Sequence, residues 1–266
     1  MTITEVTNIS WNGGLQYQAL DILRQEGGVV VSPTKVGYII VTTDEQGLQR
    51  KFELKNRPLR KPGVVLCGSL EQLFELAEVN DEIREFYETH WRQDVLMGCI
   101  LPWKSSGLDF IPEGAEPYVR DARGTSCFVV RFGTPAEKLA SELWEKDRSL
   151  LFASSANPSG KGNRGVVSGI GERIAGGVDL VVEGDEYVRS IQPDTAGRYE
   201  QGVMVSFVDA EGRLVPEQRG EARRGEVVDA GEELPTLIRA GLSLPQILLN
   251  LAEQFPRWNY RHGQYY

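Results

Sequence analysis

The sequence predicts an α/β domain organised around a mixed β-sheet, and three observations carry the prediction. Short β-branched runs alternate along the chain with segments of helical periodicity. Several of those runs lie too close together for a crossover helix, so hairpins join them and the sheet departs from a regular doubly wound one. The composition supports a sizeable core, because 41% of the 266 residues are hydrophobic, more than a disordered chain carries.

Gln16–Glu26 has helical spacing around Leu20 and Leu23 and closes at Gly27-Gly28, where glycine tolerates the helix-ending conformation. Val29–Val31 reads as a strand that breaks at Ser32-Pro33-Thr34, and Tyr38–Thr42 as a second strand. Leu48–Leu54 is predicted helical up to the Lys55-Asn56-Arg57-Pro58 turn, since proline cannot continue a helix. Val64–Cys67 is a short buried strand, and Ser69 with Gln72 forms a capping-box start for the next helix. Asp81–His90 is a helix with Ile83, Phe86 and Tyr87 inward, and Leu96–Leu101 returns to strand character. Pro102–Gly124, polar and rich in Gly and Pro, is expected to be a long loop. Phe128–Phe132 is a strand, Thr134-Pro135-Ala136-Glu137 opens a helix carrying Leu139 and Leu143, and Leu150–Ala153 is the strand that follows. A short helix near Ile170–Ala175, a strand at Leu180–Glu183 and a hairpin of Val203–Val208 with Leu214–Val215 complete a domain read as residues 1–225. Residues 226–266 read as a linker and a C-terminal helix with Leu244, Leu248, Leu251 and Phe255 on one face, ending in an aromatic-basic tail.

Charge and residue usage exclude several classes. A net charge of −9 argues against a surface built for broad nucleic-acid binding. Against that background, Arg50–Lys61 gathers six basic residues and one acid, which points to a small anionic ligand. The three cysteines have no CxxC spacing and the only histidines are His90 and His262, so neither a Cys/His metal site nor a histidine-based nucleophilic mechanism is expected. There is no run of about 18 apolar residues and no signal-peptide layout at the N-terminus. No membrane partner is expected, and a cytoplasmic location is the default.

Two constellations carry chemistry. The stretch Leu151–Arg164, LFASSANPSGKGNR, runs from an apolar strand into small hydroxyl, amide and glycine residues that can bring N–H groups, Ser155 and Asn157 to an anion. About a hundred residues earlier, Lys55 and Arg57 sit two apart on an irregular turn and can face one ligand, and Thr34 follows a strand end where a hydroxyl can enter a cleft. The Walker-type phosphate loop is absent, which removes the common ATPase mode.

The order Gly-Gly-Val-Val-Val-Ser-Pro-Thr, Leu-Lys-Asn-Arg-Pro, Lys-Pro-Gly-Val-Val-Leu and Ser-Ser-Ala-Asn-Pro-Ser-Gly resembles the YrdC-like (YrdC/YciO, threonylcarbamoyl-adenylate synthase) family over roughly residues 12–225. The resemblance implies an open, twisted mixed sheet with helices and a large basic concave cleft. It implies an ATP-dependent nucleotidyltransferase that joins L-threonine, bicarbonate and ATP, with Mg2+ on the phosphates, into threonylcarbamoyl-AMP and pyrophosphate for tRNA N6-threonylcarbamoyladenosine synthesis. On this resemblance Lys55, Arg57, Ser155, Asn157 and Arg219 hold the nucleotide and its phosphates, and Thr34, Arg131, Asp194 and Thr195 line the amino-acid pocket. No general base and no protein metal ligand is implied. The chain departs from the family pattern at Lys35, which stands where an acidic or small residue is usual, at Gly63 in place of Leu, at Asp194, and at Arg92-Gln93-Asp94 in place of a Pro-Gly-Pro segment. These departures bear on the amino-acid pocket more than on the phosphate end. The alternatives are a carbamoyl-adenylate enzyme with another amine, or a non-catalytic RNA- or nucleotide-binding protein of the same fold. RNA would use the tail 256–266, and tRNA-modification proteins are the expected protein partners.

Overall fold

A computed structural model describes residues 7–159, 162–193, 199–218 and 234–263. Its first half runs β1 (Thr7–Ser10), α1 (Tyr17–Leu23), β2 (Val30–Thr34), β3 (Gly37–Thr42), α2 (Glu45–Lys55), β4 (Val64–Leu66), α3 (Leu70–Leu76), α4 (Asp81–Arg92) and β5 (Met97–Pro102). There follow α5 (Ser105–Leu108), α6 (Glu116–Val119), β6 (Thr125–Val130), α7 (Thr134–Asp147), β7 (Leu151–Ser155), α8 (Glu172–Ala175) and β8 (Leu180–Glu183). The last elements are α9 (Asp185–Ile191), β9 (Val203–Ser206), β10 (Thr236–Arg239), α10 (Leu244–Gln254) and β11 (Arg261–His262).

The strands form one sheet in the order β1-β8-β2-β3-β7-β4-β6-β5-β9-β10-β11. Parallel pairs such as β4·β6 and β5·β9 alternate with antiparallel ones such as β2·β3 and β5·β6. This is the mixed α/β sheet the sequence predicts, and its hairpins are the reason it is mixed.

Helix starts follow the expected chemistry. Asp44 caps α2 by accepting from Gly47 N at 2.7 Å, and Asn80 caps α4 by accepting from Ile83 N at 2.9 Å. Ser69 accepts from Gln72 N at 3.1 Å, while Gln72 reaches back one residue further than a standard box, to Gly68 N at 2.8 Å. Helix α2 ends on Asn56 at φ +48°, a left-handed position that asparagine tolerates better than most residues.

Several elements differ from the sequence reading. Pro102–Gly124 contains two short helices, and Ala115 and Val119 are buried in the main core with Ile111 and Tyr118 packed against it. Its apolar residues are too few and too irregular to announce a helix, yet enough to anchor one. The hairpin after β9 is a single bridge, Val208 to Leu214. Strands β1 and β10 are too short and too mixed in character to have been read. The C-terminal segment supplies β10 and β11 as well as its helix. On α10 the stripe is rotated: Ile247 and Asn250 are buried, whereas Leu248 reaches the surface.

Strand alternation sends side chains to two different environments. Val65, Met97, Cys99, Phe128, Val130, Phe152, Val203 and Val205 face a large core that takes in residues of α3, α4 and α10. The opposite face is only partly covered. Helices α1 and α7 pack Leu20, Leu23, Leu139 and Leu143 over Val30, Val41, Leu66 and Leu151. Farther along, the small cluster of Ile100, Cys127, Met204 and Val208 includes no residue of these helices. A sheet left bare there forms the floor of a cavity.

Candidate functional site

The cavity, about 140 Å³, opens on that bare face. Ile39, Val64, Leu66, Val129 and Met204 give it an apolar lining, and Thr34, Arg57, Ser155, Asn163, Gln201 and Arg239 supply polar groups. Gly98 lowers the floor: a methyl there would stand 2.9 Å from Cys127 Sγ and 3.2 Å from Val129. Glycine within a strand commonly marks such a close approach.

The structure brings the two sequence constellations together. Lys55, at the last turn of α2, donates through Nζ to the Ser155 carbonyl and stands 3.3 Å from Ser155 Oγ, across 100 residues of chain. Ser159 N donates to Lys55 O at 3.3 Å. The loop after β7 is held on its other side by Tyr38 O, which accepts from Ala156 N at 2.7 Å and from Asn163 Nδ2 at 2.8 Å. Arg57 leaves the αL turn and donates to Lys61 O at 2.6 Å and Pro62 O at 2.9 Å. It therefore shapes its own loop as well as lining the cavity. Asn157 is buried; its Nδ2 donates to Pro158 O at 2.8 Å, while Oδ1 has no partner among the described residues.

Electrostatics at this end are those of cations taken out of water. Burial, and next the charge of Arg57, lower the Lys55 ammonium to about 7. Lys51, one turn earlier on α2, is fully buried and its Nζ has no hydrogen-bond partner among the described residues. Burial, followed by the charges of Arg57 and Lys55, pushes it well below the usual lysine range. Its room comes from Gly63, where a Cβ would sit 2.8 Å from Lys51 Nζ. The departure at Gly63 is thus matched inside the molecule by a buried lysine.

At the other end, Thr34 lines the cavity but commits its hydroxyl to the β2–β3 turn, donating to Gly37 O at 2.7 Å and accepting from Val36 N at 3.2 Å. Gly37, at φ +92°, is required there because a Cβ would lie 2.3 Å from Asn163 Oδ1. Arg131 is not among the cavity-lining residues. Its guanidinium lies 3.9 Å from the Trp91 ring centre, and Nε donates to Trp91 O at 3.1 Å. Two departures from the family pattern prove to be partners, since Lys35 Nζ lies 2.8 Å from Asp94 Oδ1 and donates to Asp94 O at 2.8 Å. Asp194, Thr195 and Arg219 lie outside the described residues.

Neither histidine lines the cavity. His90 is buried against Phe86, with Nδ1 2.6 Å from Phe86 O, and burial lowers its pKa. In the tail, Trp258 packs against Phe86 and Phe255. No described helix is long and apolar enough to cross a membrane. Sequence reasoning missed Lys51, Gln201 and Arg239 as individuals. Asn163 lay within the loop already singled out, where its neighbour Asn157 drew the attention.

Comparison with known proteins supplies the relationship. The family model Sua5_yciO_yrdC, described as "Telomere recombination", matches residues 22–204. A threonylcarbamoyl-AMP synthase of Pyrococcus abyssi (strain GE5 / Orsay) is 29% identical over 165 residues, which are 61% of this chain and 44% of that protein. The chain therefore spans less than half the length of this curated relative. A hypothetical protein, smu.1377c from Streptococcus mutans UA159, is 50% identical, with a TM-score of 0.88 over 98% of this chain and 99% of that one. P. abyssi Sua5 complexed with L-threonine shares the fold at a TM-score of 0.61 and 21% identity, over 97% of this chain and 62% of that chain. E. coli YciO does so at 0.61 and 17%, over 91% of this chain and 98% of the other. With more than half of its length matched by one family model and its sheet reproduced in these neighbours, the chain belongs to the Sua5/YciO/YrdC family.

Proposed function

We propose that the protein is an ATP-dependent nucleotidyltransferase that forms a threonylcarbamoyl-AMP-type adenylate from L-threonine, bicarbonate and ATP, with release of pyrophosphate, for tRNA N6-threonylcarbamoyladenosine synthesis. The observation that carries the reading is Lys55 meeting Ser155 beside a cavity that Arg57 lines. Family membership adds to it, and so does the activity for which the P. abyssi relative is named.

In this reading the amine and bicarbonate give a carbamate and water. A carbamate oxygen then attacks the α-phosphorus of ATP, and the bond to the β-phosphate oxygen breaks to release pyrophosphate. Such a step needs positioning and charge neutralisation more than a protein nucleophile. Lys55 and Arg57 hold phosphate oxygens, Ser155 and Asn157 face the nucleotide, and Arg219 adds a further phosphate contact. Thr34, Arg131, Asp194 and Thr195 belong to the amine side. Mg2+ enters as part of the substrate, on the ATP phosphates. Residues 1–225 form the catalytic body, and 226–266 extend it.

A different amine is the second reading, favoured by Arg131 lying against Trp91 and away from the cavity wall. Pyrophosphate release with ATP, bicarbonate and each amino acid in turn tests both. The expected result is turnover with L-threonine; turnover with another amine alone selects the second reading, and none with any amine refutes both.

A further inference from the structure

The C-terminal helix is tied to the cavity wall through side chains that do not line it. Thr89 and Gln93 lie one helical turn apart at the end of α4, and Asn250 and Gln254 lie one turn apart on α10. Thr89 Oγ1 donates to Gln254 Oε1 at 2.9 Å. Gln93 and Asn250 form a reciprocal amide pair, in which Gln93 Nε2 donates to Asn250 Oδ1 at 3.1 Å and Asn250 Nδ2 to Gln93 Oε1 at 2.7 Å. Asn250 is 1% exposed, so its amide depends on such partners in place of water.

Gln93 is the C-cap of α4, and the turn after it is a Schellman motif. Asp94 N donates to Trp91 O at 3.1 Å and Val95 N to His90 O at 2.9 Å, around Asp94 at φ +55°. Glycine is the usual residue at that point, and Arg92-Gln93-Asp94 holds neither glycine nor proline. The chain by itself therefore does not fix this turn. Side chains brace it instead. Gln93 holds it to α10 on one side, and on the other Lys35 Nζ reaches Asp94 O and Oδ1, each at 2.8 Å. Lys35 is buried, and its neighbours Thr34 and Val36 line the cavity, as does Leu96, two residues past Asp94. Lys35, Asp94, Gln93 and Asn250 are not among the lining residues.

We propose that Asn250 is a positioning residue for the amine side of the site: through Gln93 and the Asp94–Lys35 pair it sets where Thr34, Val36 and Leu96 stand. This gives the C-terminal segment a task, and it rests on the proposed function for the identity of the ligand. Lys55 and Arg57, on α2 and the turn after it, lie outside this chain of contacts. A change at Asn250 therefore acts on the amine and spares the phosphates.

The test uses the full chain with Asn250→Leu, which removes the amide and keeps a side chain of similar size. Its first arm is pyrophosphate release with ATP, bicarbonate and L-threonine, or the amine that turns over in its place. The expected result is a KM for the amine raised about fivefold or more, with the KM for ATP within about twofold. Gln93→Asn combined with Asn250→Gln exchanges the two amides and should recover most of the loss that Asn250→Gln causes alone. An unchanged amine KM in Asn250→Leu overturns the inference. So does an equal rise for both substrates, the mark of a merely structural role. The second arm is a double-mutant cycle with Lys35→Met in chemical denaturation. Independent residues multiply their effects on the unfolding constant within about twofold, and here the product should be missed by about threefold or more. Strictly multiplicative effects overturn the inference. If the wild type turns over no amine, the proposed function falls and the cycle alone decides the role of Asn250. Should Asn250→Leu not fold, Gln93→Ala breaks the same pair from its exposed side, and the same two readouts decide the matter.

Discussion

On the proposed placement of phosphate between Lys55 and Arg57, binding is pH-dependent in a way that can be worked from the surroundings of Lys55. In the free protein, burial and the charge of Arg57 lower its ammonium from 10.5 to about 7. A polyphosphate placed between Lys55 and Arg57 favours the charged form and raises that pKa again, so binding takes up a proton wherever the free protein is neutral. The sign is fixed: affinity is flat below about pH 7 and falls as pH rises above it, by up to tenfold per unit. From about pH 7.5 to pH 9, where phosphate oxygens with a second pKa near 6 keep their charge, the protonated fraction of Lys55 falls roughly twenty-five-fold. The dissociation constant of ATP should rise by about that factor, and calorimetry in buffers of different ionisation enthalpy should report close to one proton taken up. Lys55→Met should bind weakly throughout and lose the slope. A wild-type affinity independent of pH over this range, or a slope that survives in Lys55→Met, refutes the placement of the phosphates. Stability of the ligand-free protein carries the mirror image. The unfolded chain holds the Lys55 proton up to about 10.5 and the folded one only to about 7, so stability rises with pH across that window, by at most about 5 kcal/mol.

Three further outcomes follow from residues around the site. Lys51→Met removes a buried amine that has no described hydrogen-bond partner and should stabilise the fold by about 1–3 kcal/mol, seen as a higher denaturation midpoint; a lower one contradicts the account. Gly63→Ala places a methyl 2.8 Å from Lys51 Nζ and should cost about 1–3 kcal/mol, a penalty that shrinks in a Lys51→Ala background; strict additivity in the double mutant shows that the two do not meet. Asp94→Asn breaks the ion pair with Lys35 but keeps a residue tolerant of its φ of +55°, so with the Asp94 side chain 64% exposed the loss in chemical denaturation should stay at or below about 1 kcal/mol.

The family resemblance was legible because its carriers are local. Lys55-Asn56-Arg57-Pro58 and Ser154-Ser155-Ala156-Asn157 each need only a helix end or a strand end to display them, and capping and turn chemistry specify such ends within a few residues. The mixed sheet was legible for a related reason: β2 and β3 are rich in β-branched residues and are joined by two residues, too few for a crossover helix. Residues 102–124 read as a loop because two four-residue helices leave no periodic stripe, and their burial depends on neighbours far along the chain.

What the sequence determined by itself is the family and fold class of the protein, the two motifs that carry Lys55 and Ser155, and the scarcity of histidine. Each of these is a matter of residue type and short spacing. Tertiary structure decided which charges share a space. It put Lys55 on Ser155, paired Lys35 with Asp94, seated Lys51 in the room left by Gly63, and turned Arg131 toward Trp91. It also turned Arg239 onto the cavity face through one extra residue in β10. A bulge and a buried lysine are products of register and packing between strands and helices distant in sequence, and no local pattern encodes them.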